Sequence, residues 1–201
     1  VKRARAVLAY LHLKFLKFAL HIHINQPSKY VSQTGFVLRM ATSNDSALIA
    51  SMHARSWAAA YRGILPDTFL DKELADDRAA HWNTRFNELA GGAGEVFIAV
   101  VNDQPAGFVC VIAPDETGSV LVDNLHAMPE ARGTGLGTAM LATASQWAAD
   151  RGAKNMHLYV LEPNVAAIGF YESHGWRLAG REDDTMGGID IIALRYTLPI
   201  G

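Results

Sequence analysis

A single cysteine, Cys110, stands in 201 residues, inside an apolar run. A lone thiol excludes a disulfide framework and favours a reducing, cytoplasmic setting. A small buried residue on a strand is a better reading of Cys110 than a nucleophile. Net charge is also small. The formal value of −2 gives no general electrostatic case for nucleic acid, so no nucleic-acid partner is expected. Internal repeats and low-complexity segments are absent from the sequence. The opening stretch "VKRARAVLAYLHLKFLKFALHIHI" contains no acidic residue. A signal or anchor reading of it is opposed by Lys14 and Lys17, which interrupt the apolar run, and by the lack of a small-residue cleavage site. An amphipathic accessory arm is one alternative. Vector-derived upstream sequence or a misassigned start, suggested by the opening Val1, is the favoured one. His21 and His23 have no third ligand near them, so no metal is expected. No membrane partner is expected either.

What is present reads as one domain. Half the residues are hydrophobic, enough for a substantial core. Residues 1–35 form an extension, with Gln26 to Gly35 as linker, and residues 36–201 form the domain. "FVLRM" predicts a strand. A helix follows, with Ser43 and Asn44 as cap candidates and Leu48, Ile49, Met52 and Trp57 at helical spacing. "RGILP" breaks it. A second helical region points Leu74, Ala79, Trp82, Phe86 and Leu89 inward, and "GGAG" stops it. Two β-rich runs flank "NDQP", a hairpin signal. "GSVLVDNLHAM" predicts another strand, ended by Pro129. Leu136 to Arg151 predicts a helix with Leu136, Met140, Leu141, Ala144, Trp147 and Ala148 on one stripe. "NMHLYVL" predicts a strand, "PNVAAIGFYESHG" a short helix ended by Gly175, and two antiparallel strands close the chain. The order implies a mixed α/β sheet covered by helices.

One stretch carries chemistry. In "HAMPEARGTGLGTAM", Gly133, Gly135 and Gly137 alternate behind Arg132, between a strand and a helix. A helix start presents unpaired N–H groups and the positive end of its dipole. Glycines let that backbone twist and leave no Cβ to block a ligand. Successive N–H groups then cradle an anion, and Arg132 adds a fixed charge. A phosphate site follows. No lysine follows the last glycine, which excludes a Walker loop. The spacing also misses the dinucleotide fingerprint. What remains is Arg-x-x-Gly-x-Gly.

That pattern resembles the acyl-coenzyme A signature of the GNAT superfamily of N-acyltransferases, over about Phe36 to Leu198. "PEARGTGLGTAML" looks like its pyrophosphate motif and "PNVAAIGFYESHGW" like its second motif. "SWAAAYRGILPDTFLD" is similar to the N-terminal helices of many bacterial members. The resemblance implies a mostly antiparallel sheet, flanked by helices, with a central acyl-CoA cleft. It implies acetyl-CoA as co-substrate, held at its pyrophosphate by the backbone of Gly133, Thr134, Gly135, Leu136, Gly137 and Thr138. The strand edge at Leu125, His126 and Ala127 would pair with the pantetheine arm, and one of its N–H groups could stabilise an oxyanion. Asn164 would bond the pantetheine arm or the phosphates, and Tyr171 would sit near the sulfur.

The implied reaction is direct attack of an amine on a thioester through a tetrahedral intermediate. An alkylammonium, with a pKa of about 10.4, must first lose a proton. The leaving thiolate, with a conjugate acid near ~8.5, could take a proton from Tyr171, an ordinary tyrosine titrating near ~10. Asp123 and His126 are the base candidates. Their odd separation predicts opposite faces of the strand, so only one should reach the pocket. Some members that acetylate protein N-termini carry a Glu where this chain has Tyr159, which speaks against that substrate. Glu162 and Glu95 are further base candidates, and a water relay is another route. Trp57, Tyr61 and Arg62 are expected to border the acceptor pocket, suiting a substrate with apolar and anionic parts. The acceptor would be a small-molecule amine or a protein lysine, and a homodimer is conceivable through exposed strands. The alternative is a non-catalytic acyl-CoA sensor on the same scaffold, which would have no need of an acid at Tyr171.

Overall fold

The structure, a computed structural model, describes residues 30–31 and 35–200. Apart from Tyr30, Val31 and Gly35, the extension expected over residues 1–35, including His21 and His23, lies outside the described residues. The strands are β1 (Tyr30–Val31), β2 (Phe36–Met40), β3 (Gly94–Val101), β4 (Gln104–Ile112), β5 (Ser119–Ala127), β6 (Asn155–Leu161), β7 (Arg177–Met186) and β8 (Ile189–Pro199). The helices are α1 (Ser46–Ala60), α2 (Leu74–Glu88), α3 (Leu136–Ala149) and α4 (Val165–Ser173). One sheet holds all the strands in the order β1-β2-β3-β4-β5-β6-β8-β7. Only β5 and β6 run parallel; the other neighbours are antiparallel. This is the mixed, mostly antiparallel α/β architecture that the sequence predicts.

Alternation along β3 and β4 builds two core layers. Phe97, Ala99, Val109 and Val111 pack with the α3 stripe of Leu136, Met140, Leu141, Ala144, Trp147 and Ala148. Val96, Ile98, Phe108 and Cys110 face the other way, against Ile49, Met52 and Trp82 of α1 and α2. A third cluster joins Trp57, Leu65, Leu70 and Leu74 to Leu161 and Ile191. Cys110 is fully buried, and burial pushes its thiol well above the ordinary range, which leaves it unreactive. Asn102 and Asp103 both take positive φ (49° and 61°), the type I′ geometry that suits a two-residue hairpin.

Several expectations need correction. Tyr30 and Val31, placed in the linker, pair with Leu38 and Val37 of β2. The first cap is built by Thr42 and Asp45, not by Ser43 or Asn44. The Asp45 carboxylate accepts the Thr42 N–H at 2.9 Å and is gripped by Arg39, which holds its pKa down to about 2. Ala79 is exposed. The buried residues of α2 are Leu74, Trp82 and Arg85. A π-helical turn over Phe69–Glu73 leads into α2 and shifts its phase relative to a continuous 3.6-residue pattern. No helix among the described residues is long and apolar enough to cross a membrane.

Candidate active site

Hydrogen bonding along β5 creates the site. Its one edge pairs with β4 up to Ala127. Its other edge pairs with β6 only at Ser119, Val120 and Leu121. Beyond Leu121 the strands part, while β6 stays paired with β8 on its other edge along its whole length. Val122–Ala127 therefore offers backbone groups with no strand on that side among the described residues. The gap opens into a cleft of about 1670 Å³ lined by Leu125, His126 and Ala127 on one wall and by Tyr159, Val160 and Leu161 on the other.

The glycine turn closes one end of the cleft. Met128 N–H still bonds Ala106 O at 2.8 Å, and a single turn over Pro129–Ala131 follows. Gly133 (φ 74°) and Gly135 (φ 86°) then take left-handed conformations before α3 begins. Only glycine adopts these freely. A Cβ added at either position would meet nothing within 4 Å, so the turn opens on free space. The first turn of α3 adds N–H groups with no intrahelical acceptor. Residues 133–138 thus fit a diphosphate: a bare, donor-only concavity at a helix start. Gly137 does a different job. Its Cβ would fall 2.9 Å from Phe170 Cζ, so it lets α4 lie close to α3. Arg132 is exposed at the rim, its Nε 3.4 Å from Ala127 O. Thr138 Oγ1 lies 2.8 Å from His174 Nε2, and His174 Nδ1 lies 2.8 Å from Phe170 O. A carbonyl only accepts, so Nδ1 carries the proton.

On the opposite side the register of β5 changes the expected facing of its residues. Val122 pairs with Val111 and Asn124 with Cys110, which leaves Asp123 as the extra residue of a β-bulge. A bulge resets the alternation, so Asp123 and His126 both line the cleft despite their odd spacing. Asp123 accepts from Asn124 Nδ2 at 2.6 Å and faces Arg85 Nη2 at 3.2 Å. Burial pushes its carboxyl up, against the pull of Arg85. Arg85 also bonds Glu88 at 3.0 Å. This buried arginine was not legible as a site residue; a charged residue in the inward stripe of α2 was its only signal.

His126 Nδ1 lies 3.1 Å from Ser56 Oγ, and its ring lies 4.5 Å from that of His53. Trp82 Nε1–H donates to His53 Nδ1 at 3.0 Å, which fixes the other tautomer on His53. Burial, then the charge of Arg78, lowers His126 to about 3. Burial, Arg78 and Arg85 lower His81 to about 3. Burial also holds His53 far below the ordinary range. All three imidazoles are neutral in the folded state, so below about pH 6.5 the unfolded chain binds more protons, down to about pH 3 in the case of His81 and His126. Their contribution to stability is complete above about pH 6.5 and is lost as pH falls toward 3. Each imidazole is worth roughly 1.4 kcal/mol per pH unit in that window. The raised carboxyl of Asp123 acts in the opposite sense at the acid end. Urea denaturation at pH 7.5, 6.0 and 5.0 should show the fall, with a shallower slope in His81→Gln. A flat profile would contradict the neutral cluster.

Trp57 and Tyr61 line the cleft. Arg62 does not. It is exposed and paired with Asp67 and Asp71, because the chain turns away at Gly63. The guanidinium beside the aromatics belongs to Arg78, whose Cζ sits 4.4 Å from the Trp57 ring centroid. Asn164 also lines the cleft, but its Oδ1 caps α4 by accepting Ala167 N–H at 3.2 Å. Tyr171 lines the cleft from α4 and packs on Trp176. Burial raises its pKa, with Tyr61 adding to the effect. Full proton transfer from so weak an acid to a thiolate would be uphill, while its hydroxyl can still donate a hydrogen bond into the cleft. Of the other base candidates, Glu162 is tied to Arg181 at 2.9 Å on the surface. Glu95 lies in a separate small groove with Thr42 and Phe86.

Comparison with known proteins bears on the family and the fold. A family model described as "Acetyltransferase (GNAT) family" matches residues 54–176. The chain is 34% identical over 85 residues to an "Uncharacterized N-acetyltransferase" of Methanocaldococcus jannaschii, over 40% of this chain and only 38% of that protein's length. It is 26% identical over 165 residues to a "Probable N-acetyltransferase" of Mycobacterium tuberculosis, over 80% of this chain and 92% of that one. The crystal structure of the PaiA N-acetyltransferase from Thermoplasma acidophilum in complex with coenzyme A superposes with a TM-score of 0.65, at 18% identity, over 79% of this chain and 97% of that one. This last likeness is one of fold.

Proposed function

Because the chain belongs to the acetyltransferase (GNAT) family, we propose that it is an N-acetyltransferase, moving an acetyl group from acetyl-CoA to a primary amine. The observation that carries the reading is the unpaired edge of β5 running directly into a donor-only glycine turn. An amide-bearing arm would add to that edge as a strand adds to a sheet. A diphosphate would sit on the N–H groups of residues 133–138, with Arg132 at the rim. Residues 36–201 would form the catalytic domain, with the cleft between β5 and β6 as its centre.

The amine nitrogen attacks the thioester carbonyl carbon. A C–N bond forms, the C–S bond breaks, the nitrogen loses a proton and the sulfur gains one. A backbone N–H among Leu125, His126 and Ala127 would donate to the oxyanion of the tetrahedral intermediate. Burial strengthens Asp123 as a base and weakens His126, so the amine proton would pass toward Asp123. His126, neutral and bonded to Ser56, would orient the acceptor. Tyr171 would donate a hydrogen bond to the departing sulfur.

Calorimetric titration with acetyl-CoA, paired with thiol release over a panel of amines, tests the reading. Gly135→Ala should weaken acetyl-CoA binding several-fold, since a side chain at φ 86° costs about 1 kcal/mol and distorts the turn. Unchanged affinity in that variant would move the diphosphate elsewhere. Binding without thiol release from any amine would favour the sensor reading.

A further inference from the structure

The acceptor side of the cleft holds two groups that can only donate, the Trp57 indole and the Arg78 guanidinium, with an unpartnered imidazole beside them. Trp57 is buried, lines the cleft, and its Nε1–H has no acceptor among the described residues. An indole N–H cannot accept a hydrogen bond. Arg78 stacks on the same ring and also lines the cleft. Asp77 takes its Nε–H at 2.8 Å and one Nη2–H. A guanidinium has five N–H groups, so others remain for a ligand. His81, one turn along α2, lines the cleft with a buried Nε2 that has no partner among the described residues.

Neutral water could satisfy such a site, but a carboxylate satisfies it better, because it brings acceptors only and matches the guanidinium in shape and charge. The carboxylates already in this part of the cleft have partners. Asp77 is bonded to Arg78, and Glu88 and Asp123 share Arg85. The field of Arg78 reaches His53, His81, His126, Asp123 and Tyr61, in each case disfavouring positive or favouring negative charge. The walls beside it are apolar: the Trp57 and Tyr61 rings meet edge to face, 5.1 Å apart, and Phe69 faces the same cleft.

We propose that Arg78 and the Trp57 indole N–H form a carboxylate subsite, and that the acceptor is an amine that also carries a carboxylate, an amino acid with an apolar side chain. This rests on the acetyl-transfer reading above for its chemistry but not for its binding site. The subsite fixes one end of the acceptor, and the apolar wall fixes the side chain. The same positive field lowers the cost of removing the ammonium proton once the amine is bound.

The test compares L-phenylalanine, L-phenylalaninamide, 2-phenylethylamine and spermidine as acceptors. A charge-assisted contact predicts that kcat/KM for phenylalanine exceeds that for phenylalaninamide and 2-phenylethylamine by roughly tenfold to a hundredfold. Arg78→Met should bring those ratios close to one, with acetyl-CoA affinity as the check that the variant is folded. A binding readout that needs no turnover is the Trp57 indole N–H resonance, identified by its loss in Trp57→Phe. It should move downfield when N-acetyl-L-phenylalanine is added to the CoA-bound protein. Preference for spermidine or 2-phenylethylamine, ratios unchanged in Arg78→Met, or a stationary indole resonance would overturn the subsite. A shifted resonance with no thiol release from any acceptor would support the subsite while removing the enzymatic reading.

Discussion

Tyr171→Phe should bind acetyl-CoA about as tightly as the parent protein and turn over about 10²–10³ times more slowly, the usual worth of one donor aimed at charge that develops in the transition state. The ring fills the same space, and its contact with Trp176 is kept, so the fold should hold. What is lost is one O–H in a buried wall of the cleft. Burial keeps that hydroxyl protonated beyond the ordinary tyrosine range, so the parent's activity should show no basic limb arising from it. The loss should appear in kcat, with KM for acetyl-CoA little changed, because the interaction forms only as negative charge grows on sulfur. Normal turnover in the variant would remove Tyr171 from the mechanism and return it to a packing role.

Arg85→Met carries the largest expected effect on stability. The guanidinium is 3% exposed and lies between Glu88 and Asp123. Removing it leaves Asp123 buried without its cation, a change that costs about 3–5 kcal/mol at comparable sites. For a domain of this size that corresponds to a fall in Tm of roughly 6–20 °C. Asp123 should titrate higher still, since Arg85 is what opposes the upward push of burial. Adding Asp123→Asn should recover much of the loss, because the double variant no longer buries an unmatched carboxylate. Thermal melts of the two singles and the double measure the coupling directly. Strict additivity would mean that the pair is not the source of the effect.

The two predictions draw on different kinds of information. Tyr171 sits in a local motif, "GFYESHG", whose helix and glycine stop are set by neighbours in sequence. Arg85 and Asp123 are 38 positions apart, read from the sequence numbering, and nothing local joins them. The same division runs through the site. The turn after β5 could be read in advance because φ > 0 demands glycine and a helix start must expose N–H groups, both short-range facts. The facing of Asp123 and His126 could not, since a one-residue bulge against β4 reverses a parity argument that is otherwise sound. Arg62 and Arg78 exchanged roles for a similar reason: the π-helical turn at Phe69–Glu73 sets the rotation of α2, and only that rotation lays Arg78 over Trp57.

By itself the sequence determined the order of strands and helices from Phe36 onward and the glycine turn, and its motifs carried the resemblance to the family. The order and the turn follow from periodicity or from backbone sterics over a few residues, which no distant contact can override cheaply. The tertiary structure decided which charges meet inside the cleft, which imidazoles stay neutral, and which guanidinium faces the acceptor. Those depend on register and helix rotation, where a shift of one residue moves a side chain to the opposite face at almost no local cost.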